Sequence, residues 1–366
     1  MANEVDIIED DLLALDKDIF IFLLKDHSRS HYFAKHNNGH PEDESKQCNI
    51  HWMTHDYEEH GEGYQYDDPI MSDCISGTHE KSRILMPRVL KNKLSQTKRT
   101  RDMAEVFTPS WICNKQNNLI DEAWFGRKDV FNQENADNTW TPTKGKIVFP
   151  NTEGKTWRDY VAEHVLEVTC GEAPYLVSRY DTTTGEKLPL EMRIGLLDRK
   201  LRVVDENAQD DGEWWLFTQV AYGATYGYEW QGDSLLLARE AMLYTFVEHY
   251  RQRFNGENPE PRMLQMIAYL VSWNIFQMDG LKGVIPESCK HNILVRTVDI
   301  FGEKESLITC QGCKEGTLAH HNGIYCEIVE WSTIQTGLAY QNGKFAGDIR
   351  KKETLRFIDV LPKKSR

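Results

Sequence analysis

The sequence predicts an α/β protein built on a mainly parallel sheet with helices on both faces. Two apolar strand-like runs, residues 165–168 and 226–229, are separated by a long connection rather than by a hairpin turn. A third run, residues 273–280, follows a segment with helical apolar periodicity at Met263, Met266, Ile267, Leu270 and Val271. Strands that alternate with amphipathic helices favour parallel pairing, because a crossover helix returns the chain to the same end of the sheet.

Length and composition exclude several classes of protein. The chain has 366 residues, of which 40% are hydrophobic and 27% charged, and no apolar run is long enough to cross a bilayer. This composition predicts a soluble globular protein, and the length predicts about two domains. The N-terminus is acidic and lacks the basic start of a secretion signal, so we expect a cytoplasmic location. The eight cysteines are too sparse for a disulfide scaffold and suggest metal ligation in a reducing compartment.

The acidic charge is concentrated at the front of the chain. Residues 1–80 contain 19 Asp and Glu against 5 Lys and Arg, and the whole chain carries a net charge of −14. We therefore divide the chain into an acidic, His-rich N-terminal region (1–80), a central domain (81–285), a Cys-rich lobe (286–335) and a C-terminal tail (336–366). An acidic chain gains little from counterion release on DNA, so any DNA contact should need a partner.

Two polar segments have open interpretations. Residues 81–101 hold eight basic residues and no acid, which indicates either a solvated face or contact with phosphate or an acidic partner. Residues 27–79 hold eight histidines in a polar context. Their spacing matches no pattern of metal ligands, and the segment offers no apolar framework to hold the rings in place. We therefore prefer a polar surface insertion to a metal site.

Local signals predict the elements between these segments. Residues 19–24 form a short apolar helix or strand. Thr108 or Ser110 could cap a helix that has Pro109 near its first turn, and residues 132–158 have the composition of a loop or linker.

A second capping signal lies downstream. Asp233 could cap a long helix that stops at Asn255 and Gly256.

Polar residues follow the predicted strands at the positions where an open parallel sheet binds ligands. The turn from Cys170 to Pro174 contains small residues, and its free N–H groups suit a carboxylate or phosphate. Glu229 could accept hydrogen bonds from both hydroxyls of a ribose, and Asp279 could accept one from an exocyclic amine. Each residue alone is more often a helix cap, but the ordered combination predicts a site for an adenosine-containing cofactor.

The ordered motifs resemble a known family. Glu105-Val106-Phe107-Thr108-Pro109, residues 166–176, and residues 226–229 with 238–240 resemble the opening motif, cofactor loop and ribose-binding segment of adenine-specific DNA methyltransferases of restriction-modification systems (the type IIG-like modification subunit). Residues 193–200 and 276–282 are similar to stretches of such modification subunits. The resemblance covers roughly residues 80–335 and implies a partial Rossmann-like class I methyltransferase sheet that binds S-adenosyl-L-methionine.

The resemblance also implies roles for individual residues. The methionine end of the cofactor would meet the 107–109 motif, the loop would be formed around Gly171, Glu229 would hold the ribose and Asp279 would face the adenine. The implied cofactor-binding residues are Phe107, Thr108, Pro109, Glu167, Cys170, Gly171, Ala173, Pro174, Glu229, Trp230, Asp279 and Gly280.

Two departures from the family pattern matter. Ala173 stands where the family usually has a second glycine. The Asn/Asp-Pro-Pro-Tyr/Phe loop that holds a flipped adenine is missing, since none of the 12 prolines adjoins another. We therefore expect no catalytic residues in this chain. A second methyltransferase subunit would carry the Asn-Pro-Pro-Tyr motif, and double-stranded DNA would bind through the complex.

Other functions remain open at this stage. The chain could be a catalytically inactive, methyltransferase-like scaffold or regulatory subunit. It could also bind nucleic acid through residues 81–101.

The cysteines near the C-terminus have metal-ligand spacing. Cys310 and Cys313 form a Cys-x-x-Cys pair, with Cys326 downstream and Cys289 upstream. These four are the predicted ligands of a structural Zn²⁺ ion, with alternatives for the fourth ligand at His291, His320 and His321. Free buried thiols and redox chemistry are the competing interpretations. A metal would stabilise a small lobe that could dock the partner.

Overall fold

The secondary structure is mixed in the computed structural model. The described residues are 5–36, 48–91, 96–97, 99–101, 108–299, 302–332 and 350–362. Their strands are β1 (Asn132–Glu134), β2 (Trp140–Pro142), β3 (Val165–Glu167), β4 (Thr225–Glu229), β5 (Ile275–Gln277), β6 (Asn292–Asp299), β7 (Gly302–Thr309), β8 (Glu327–Ser332) and β9 (Arg350–Arg356).

Helices connect and cover these strands. They are α1 (Glu9–Leu15), α2 (Ile19–Leu23), α3 (His27–His36), α4 (Ser72–Ile75), α5 (Ser110–Phe125), α6 (Trp157–Ala162), α7 (Leu196–Asn207), α8 (Asp211–Gly223), α9 (Gly232–Arg253), α10 (Pro261–Asn274), α11 (Gln311–Glu315) and α12 (Phe357–Val360). Single 3₁₀ turns occur at Glu58–His60, Lys81–Arg83, Arg88–Leu90 and Leu190–Met192. None of the helices in the described part of the chain combines the length and apolar character that a membrane span requires.

A small parallel sheet confirms the predicted α/β architecture. Its strand order is β3-β4-β5, and both pairings are parallel. Glu167 lies opposite Gly227, and Glu229 lies opposite Gln277. The polar residues that end the three strands therefore meet at one edge of the sheet. The pairs β1/β2, β6/β7 and β8/β9 are antiparallel.

Helix α10 follows its predicted periodicity and leads directly into β5. Its residues Met263, Ile267, Leu270 and Val271 are buried. Pro261 occupies the first turn, where its missing N–H costs no helical hydrogen bond. The third predicted strand is shorter than expected, because 273 and 274 still belong to the helix.

The N-terminal region contributes to the core, so the surface-insertion interpretation is wrong for its second half. Ile50, Trp52 and Ile70 are fully buried and belong to the same hydrophobic cluster as the apolar residues of α9. His27 stacks on Trp273, with ring centroids 4.0 Å apart. Among the described histidines of residues 27–79, none belongs to a cluster that could hold a metal.

The basic segment is also partly internal. The buried carboxylate of Asp233 accepts hydrogen bonds from Arg99 at 2.8 Å and from Lys91 at 3.3 Å. These two side chains therefore belong neither to a solvated face nor to a phosphate-binding face. Lys93 and Lys98 lie outside the described residues. Asp233 is also not the cap of α9, which begins one residue earlier without a side-chain cap.

Two further local predictions need correction. Helix α5 begins at Ser110 without a side-chain cap, and the Ser110 N–H donates to Asp181 at 2.7 Å. Residues 132–158, predicted as a loop, contain the β1/β2 hairpin, which is held by a 2.8 Å hydrogen bond from Trp140 Nε1 to the main-chain oxygen of Met192.

The described end of the predicted tail is ordered against the core. Strand β9 pairs with β8. Phe357 at the start of α12 is buried in a cluster with Tyr228 and Phe276.

Candidate functional site

A cavity of about 1070 Å³ lies at the carboxyl ends of β3 and β4. This is the end of a parallel sheet at which ligands bind. The predicted cofactor residues that line it are Thr108, Glu167, Cys170, Gly171, Pro174, Glu229 and Trp230. Pro109 follows Thr108 in the chain, and Phe107 lies outside the described residues. Three segments distant in sequence thus meet around one hollow.

The loop after β3 turns sharply because several of its residues adopt left-handed backbone conformations. The φ angles are +48° at Thr169, +53° at Gly171 and +59° at Ala173. Left-handed φ is a conformation that glycine adopts at least cost. Ala173 is fully buried and adopts the left-handed conformation that a glycine would adopt more easily. The conformation costs an alanine about 1–2 kcal/mol.

Cys170 supports the loop from below. Its N–H donates to the main-chain oxygen of Tyr228 at 2.8 Å. A side chain on Gly227 would approach the Cys170 sulfur to 3.2 Å, so glycine leaves room for the thiol. Burial raises the pKa of Cys170 well above its usual range. The thiol is therefore a packing group and not a nucleophile.

The carboxylate of Glu229 joins the ends of β3 and β4. It accepts a hydrogen bond from the N–H of Gly171 at 2.9 Å and others from the N–H groups of Trp230 at 2.9 Å and Gln231 at 3.3 Å. Burial raises its pKa, although these N–H groups oppose the shift. A carboxylate has about four acceptor positions, so one stays open to a hydroxyl in the cavity.

Glu167 lines the cavity but holds its carboxyl group largely inside the protein. Its Oε1 accepts from the N–H of Tyr175 at 3.3 Å, whereas its buried Oε2 has no hydrogen-bond partner among the described residues. Burial raises the pKa of Glu167 well above the usual range of a glutamic acid. A protonated carboxyl group lowers the cost of burying the unpaired oxygen.

Asp279 and Gly280 are placed elsewhere. Strand β5 ends at Gln277, and Asp279 then forms a 2.9 Å ion pair with Lys282. Gly280 packs against the ring of Tyr228, where an added Cβ would lie 2.7 Å from a ring carbon. Neither residue is among those that line the cavity.

A second site lies in the C-terminal lobe, where Cys289, Cys310, Cys313 and His321 form a group that could hold a metal ion. The Cys289 sulfur lies 3.6 Å from that of Cys310 and 3.7 Å from that of Cys313. His321 Nδ1 lies 3.4 Å from the Cys289 sulfur and 3.6 Å from each of the other two. The antiparallel pair β6/β7 brings Cys289 beside the Cys-x-x-Cys turn.

The surroundings prepare these groups as ligands. His321 Nε2 lies 2.8 Å from the main-chain oxygen of Thr317, which fixes the proton on Nε2 and leaves Nδ1 free to coordinate. Burial opposes ionisation of Cys310, but hydrogen bonds from the N–H groups of Cys313 and Asn322 outweigh it and lower its pKa to about 6. Burial and the neighbouring thiols raise the pKa of Cys289 to about 12.

Cys326 is not a member of this group, which corrects the predicted ligand set. It is buried, and its thiol donates to the main-chain oxygen of Gln277 at 3.3 Å. It packs in the cluster that contains Ile324 and Ile328. This alternating apolar pattern, visible in the sequence, places Cys326 on the inward face of an extended segment. His321, one of the alternatives, takes its place.

Sequence reasoning also missed cavity residues. Tyr66 and Arg101 line the same hollow. The aromatic content of residues 52–66, with one Trp and three Tyr in a polar segment, was the available signal of burial.

No protein-family model matches the chain, and no curated protein or solved structure matches it either.

Proposed function

We propose that this chain binds S-adenosyl-L-methionine and is the cofactor-binding subunit of a two-polypeptide DNA adenine N6-methyltransferase. The observation that carries the proposal is the cavity at the carboxyl ends of β3 and β4, because it gathers residues from three of the motifs that resemble this family. Its volume of about 1070 Å³ is sufficient for a nucleoside cofactor.

The donor and acceptor groups of the cavity suit this ligand. The sequence predicts that Glu229 accepts from both ribose hydroxyls, but its three main-chain hydrogen bonds leave an acceptor position for one. The bound cofactor would supply an activated methyl group on a sulfonium. This chain's residues would bind and orient it, which is the main requirement of an in-line displacement.

The second polypeptide would supply the loop that holds the adenine. The chain contains no adjacent prolines with which to build that loop. Strand β3 is an edge of the parallel sheet among the described residues. The outer side of an edge strand is a template for pairing, so further strands would add here.

The metal in the C-terminal lobe would be a structural zinc ion. Ligand atoms around a tetrahedral zinc lie about 3.8 Å apart for two sulfurs and about 3.5 Å for sulfur and nitrogen. The sulfur–sulfur distances of 3.6 and 3.7 Å and the sulfur–nitrogen distances of 3.4 to 3.6 Å fit these edges. Four protein ligands leave no open coordination position for catalysis.

Isothermal titration with S-adenosyl-L-methionine tests the proposal on the chain alone and on its co-purified complex. We expect Glu229→Gln to weaken binding by about 10-fold, because an amide nitrogen that cannot accept a hydrogen bond replaces one carboxylate oxygen. Glu153→Gln, on an exposed loop, is the matched control. Transfer of labelled methyl groups to duplex DNA should require the complex. If neither the chain nor the complex binds the cofactor, the scaffold alternative replaces this proposal.

A further inference from the structure

Residues 48–70 pack against the parallel sheet, although they lie far from it in sequence, and one of them, Tyr66, lines the cavity. The side-chain amide of Gln277 pairs with both main-chain groups of His51, at 2.9 and 2.8 Å. The N–H of Gly232 donates to the main-chain oxygen of Trp52 at 2.9 Å. A Cβ on Gly232 would lie 2.0 Å from the His51 oxygen, so the two backbones are in direct contact.

Within this segment, two contacts hold Tyr66 in place. Its main-chain oxygen accepts from the N–H of Met53 at 2.7 Å. The ring of His55 stacks on the Tyr66 ring, with centroids 4.6 Å apart and planes inclined by 24°. Burial raises the pKa of Tyr66, so its hydroxyl stays protonated.

The position of Tyr66 relative to Glu229 suggests its ligand. Tyr66, Glu229 and Trp230 line the same cavity. A nucleoside whose ribose is bound by Glu229 would therefore place its base in the cavity that this tyrosine lines. Planar heteroaromatic bases stack on aromatic side chains, and His55 covers only one face of Tyr66.

We infer that Tyr66 stacks on the adenine of the bound cofactor, so that the N-terminal region is part of the cofactor site. This inference rests on the proposed function and deepens it, since it names the residue that recognises the base. It also gives residues 48–70 a role in binding, beyond their contribution to the core.

Three variants test the inference by titration with S-adenosyl-L-methionine and with adenosine. Tyr66→Ala should weaken both ligands by about the same factor, on the order of 10-fold, because it removes the stacking ring. Tyr66→Phe keeps the ring and should stay within about 3-fold of the unchanged chain. Tyr32→Ala, on α3 with its ring stacked on His36, is the matched control and should have no effect.

Hydrogen–deuterium exchange provides a readout that needs no variant. We expect S-adenosyl-L-methionine to slow exchange in residues 61–70, whereas methionine alone should not. If the unchanged protein binds the cofactor but Tyr66→Ala binds it equally well and residues 61–70 show no protection, the inference is overturned while the proposed function stands. If the unchanged protein binds no cofactor, alone or in its complex, the proposed function itself fails.

Discussion

Gln277 and His51, 226 positions apart in the chain, are joined as if they were paired residues of two strands. The amide oxygen of Gln277 accepts from the His51 N–H, and its nitrogen donates to the His51 carbonyl. The same nitrogen also donates to the main-chain oxygen of Trp230 at 2.8 Å. One buried side chain thereby connects β5, the loop after β4 and the N-terminal region.

Removal of this amide should destabilise the fold. Gln277→Ala leaves buried main-chain groups of His51 and Trp230 without partners, so we expect a loss of about 3 kcal/mol in the free energy of unfolding. Urea denaturation followed by circular dichroism measures it. Gln133→Ala, at an exposed position of β1, should change the free energy by less than about 0.5 kcal/mol. Equal effects of the two substitutions would contradict the bridging role.

The ligand set of the C-terminal lobe can be tested by metal content. The unchanged protein purified with zinc should hold about one ion per chain, and Cys313→Ser and His321→Ala should each hold much less. Cys326→Ser and His320→Ala should keep the ion, since neither residue belongs to the group. Elemental analysis after dialysis distinguishes them. Loss of zinc in Cys326→Ser together with retention in His321→Ala would restore the set predicted from sequence.

Lys200 should make stability depend on pH in the alkaline range. Burial lowers the pKa of this lysine to about 7, and its ammonium group donates to the main-chain oxygens of Glu163 and Ala224. Between pH 7 and about 10 the unfolded chain binds more protons at this position than the folded chain. The free energy of unfolding attributable to Lys200 therefore rises with pH in that window.

The comparison of Lys200→Met with the unchanged protein isolates this contribution. We expect the difference between their unfolding free energies to change by about 1–2 kcal/mol between pH 7 and pH 9. Lys144→Met, at an exposed position, provides the baseline. A difference that stays constant over this range would show that Lys200 titrates normally in the folded state.

Glu240 should act in the opposite direction. It is fully buried on α9, and neither carboxyl oxygen has a hydrogen-bond partner among the described residues. Burial raises its pKa well above the usual range. Burial and repulsion from Glu240 also raise the pKa of Glu9, on α1, to about 11. Because the folded pKa values are raised, stability is fully present below pH 4.5 and is lost as the pH rises above it.

Glu240→Gln removes this dependence at one of the two positions. We expect the variant to exceed the unchanged protein in unfolding free energy by about 1–3 kcal/mol at pH 8 and by much less at pH 4.5. Glu134→Gln, exposed on β1, is the control. An advantage of the same size at both pH values would mean that packing, and not ionisation, is responsible.

Sequence patterns predicted the parts of the fold that local periodicity encodes. The burial of Met263 and Ile267 in α10 and the strand that ends at Glu229 follow from residue spacing. The same holds for Cys310 and Cys313, since a Cys-x-x-Cys turn brings two thiols together by itself. These features depend on neighbours within a few residues of the chain.

The remaining features depend on distant partners. His321 becomes a candidate ligand because β6 and β7 bring Cys289, 32 positions earlier, to within 3.4 Å of its Nδ1. The burial of Trp52 was not predicted, because polar residues dominate the composition of the segment around it. Asp233 has the local pattern of a helix cap, but it forms an ion pair with Arg99, 134 positions earlier. No local window of sequence contains these pairings.

The burial of Lys91 and Arg99 against Asp233 has a consequence for the order of assembly. Both side chains are neutralised inside the protein and are lost to its outward electrostatic potential. Under the proposed function, a polyanion such as duplex DNA would gain little attraction from these two cations, and association of the two polypeptides would be expected to precede its binding.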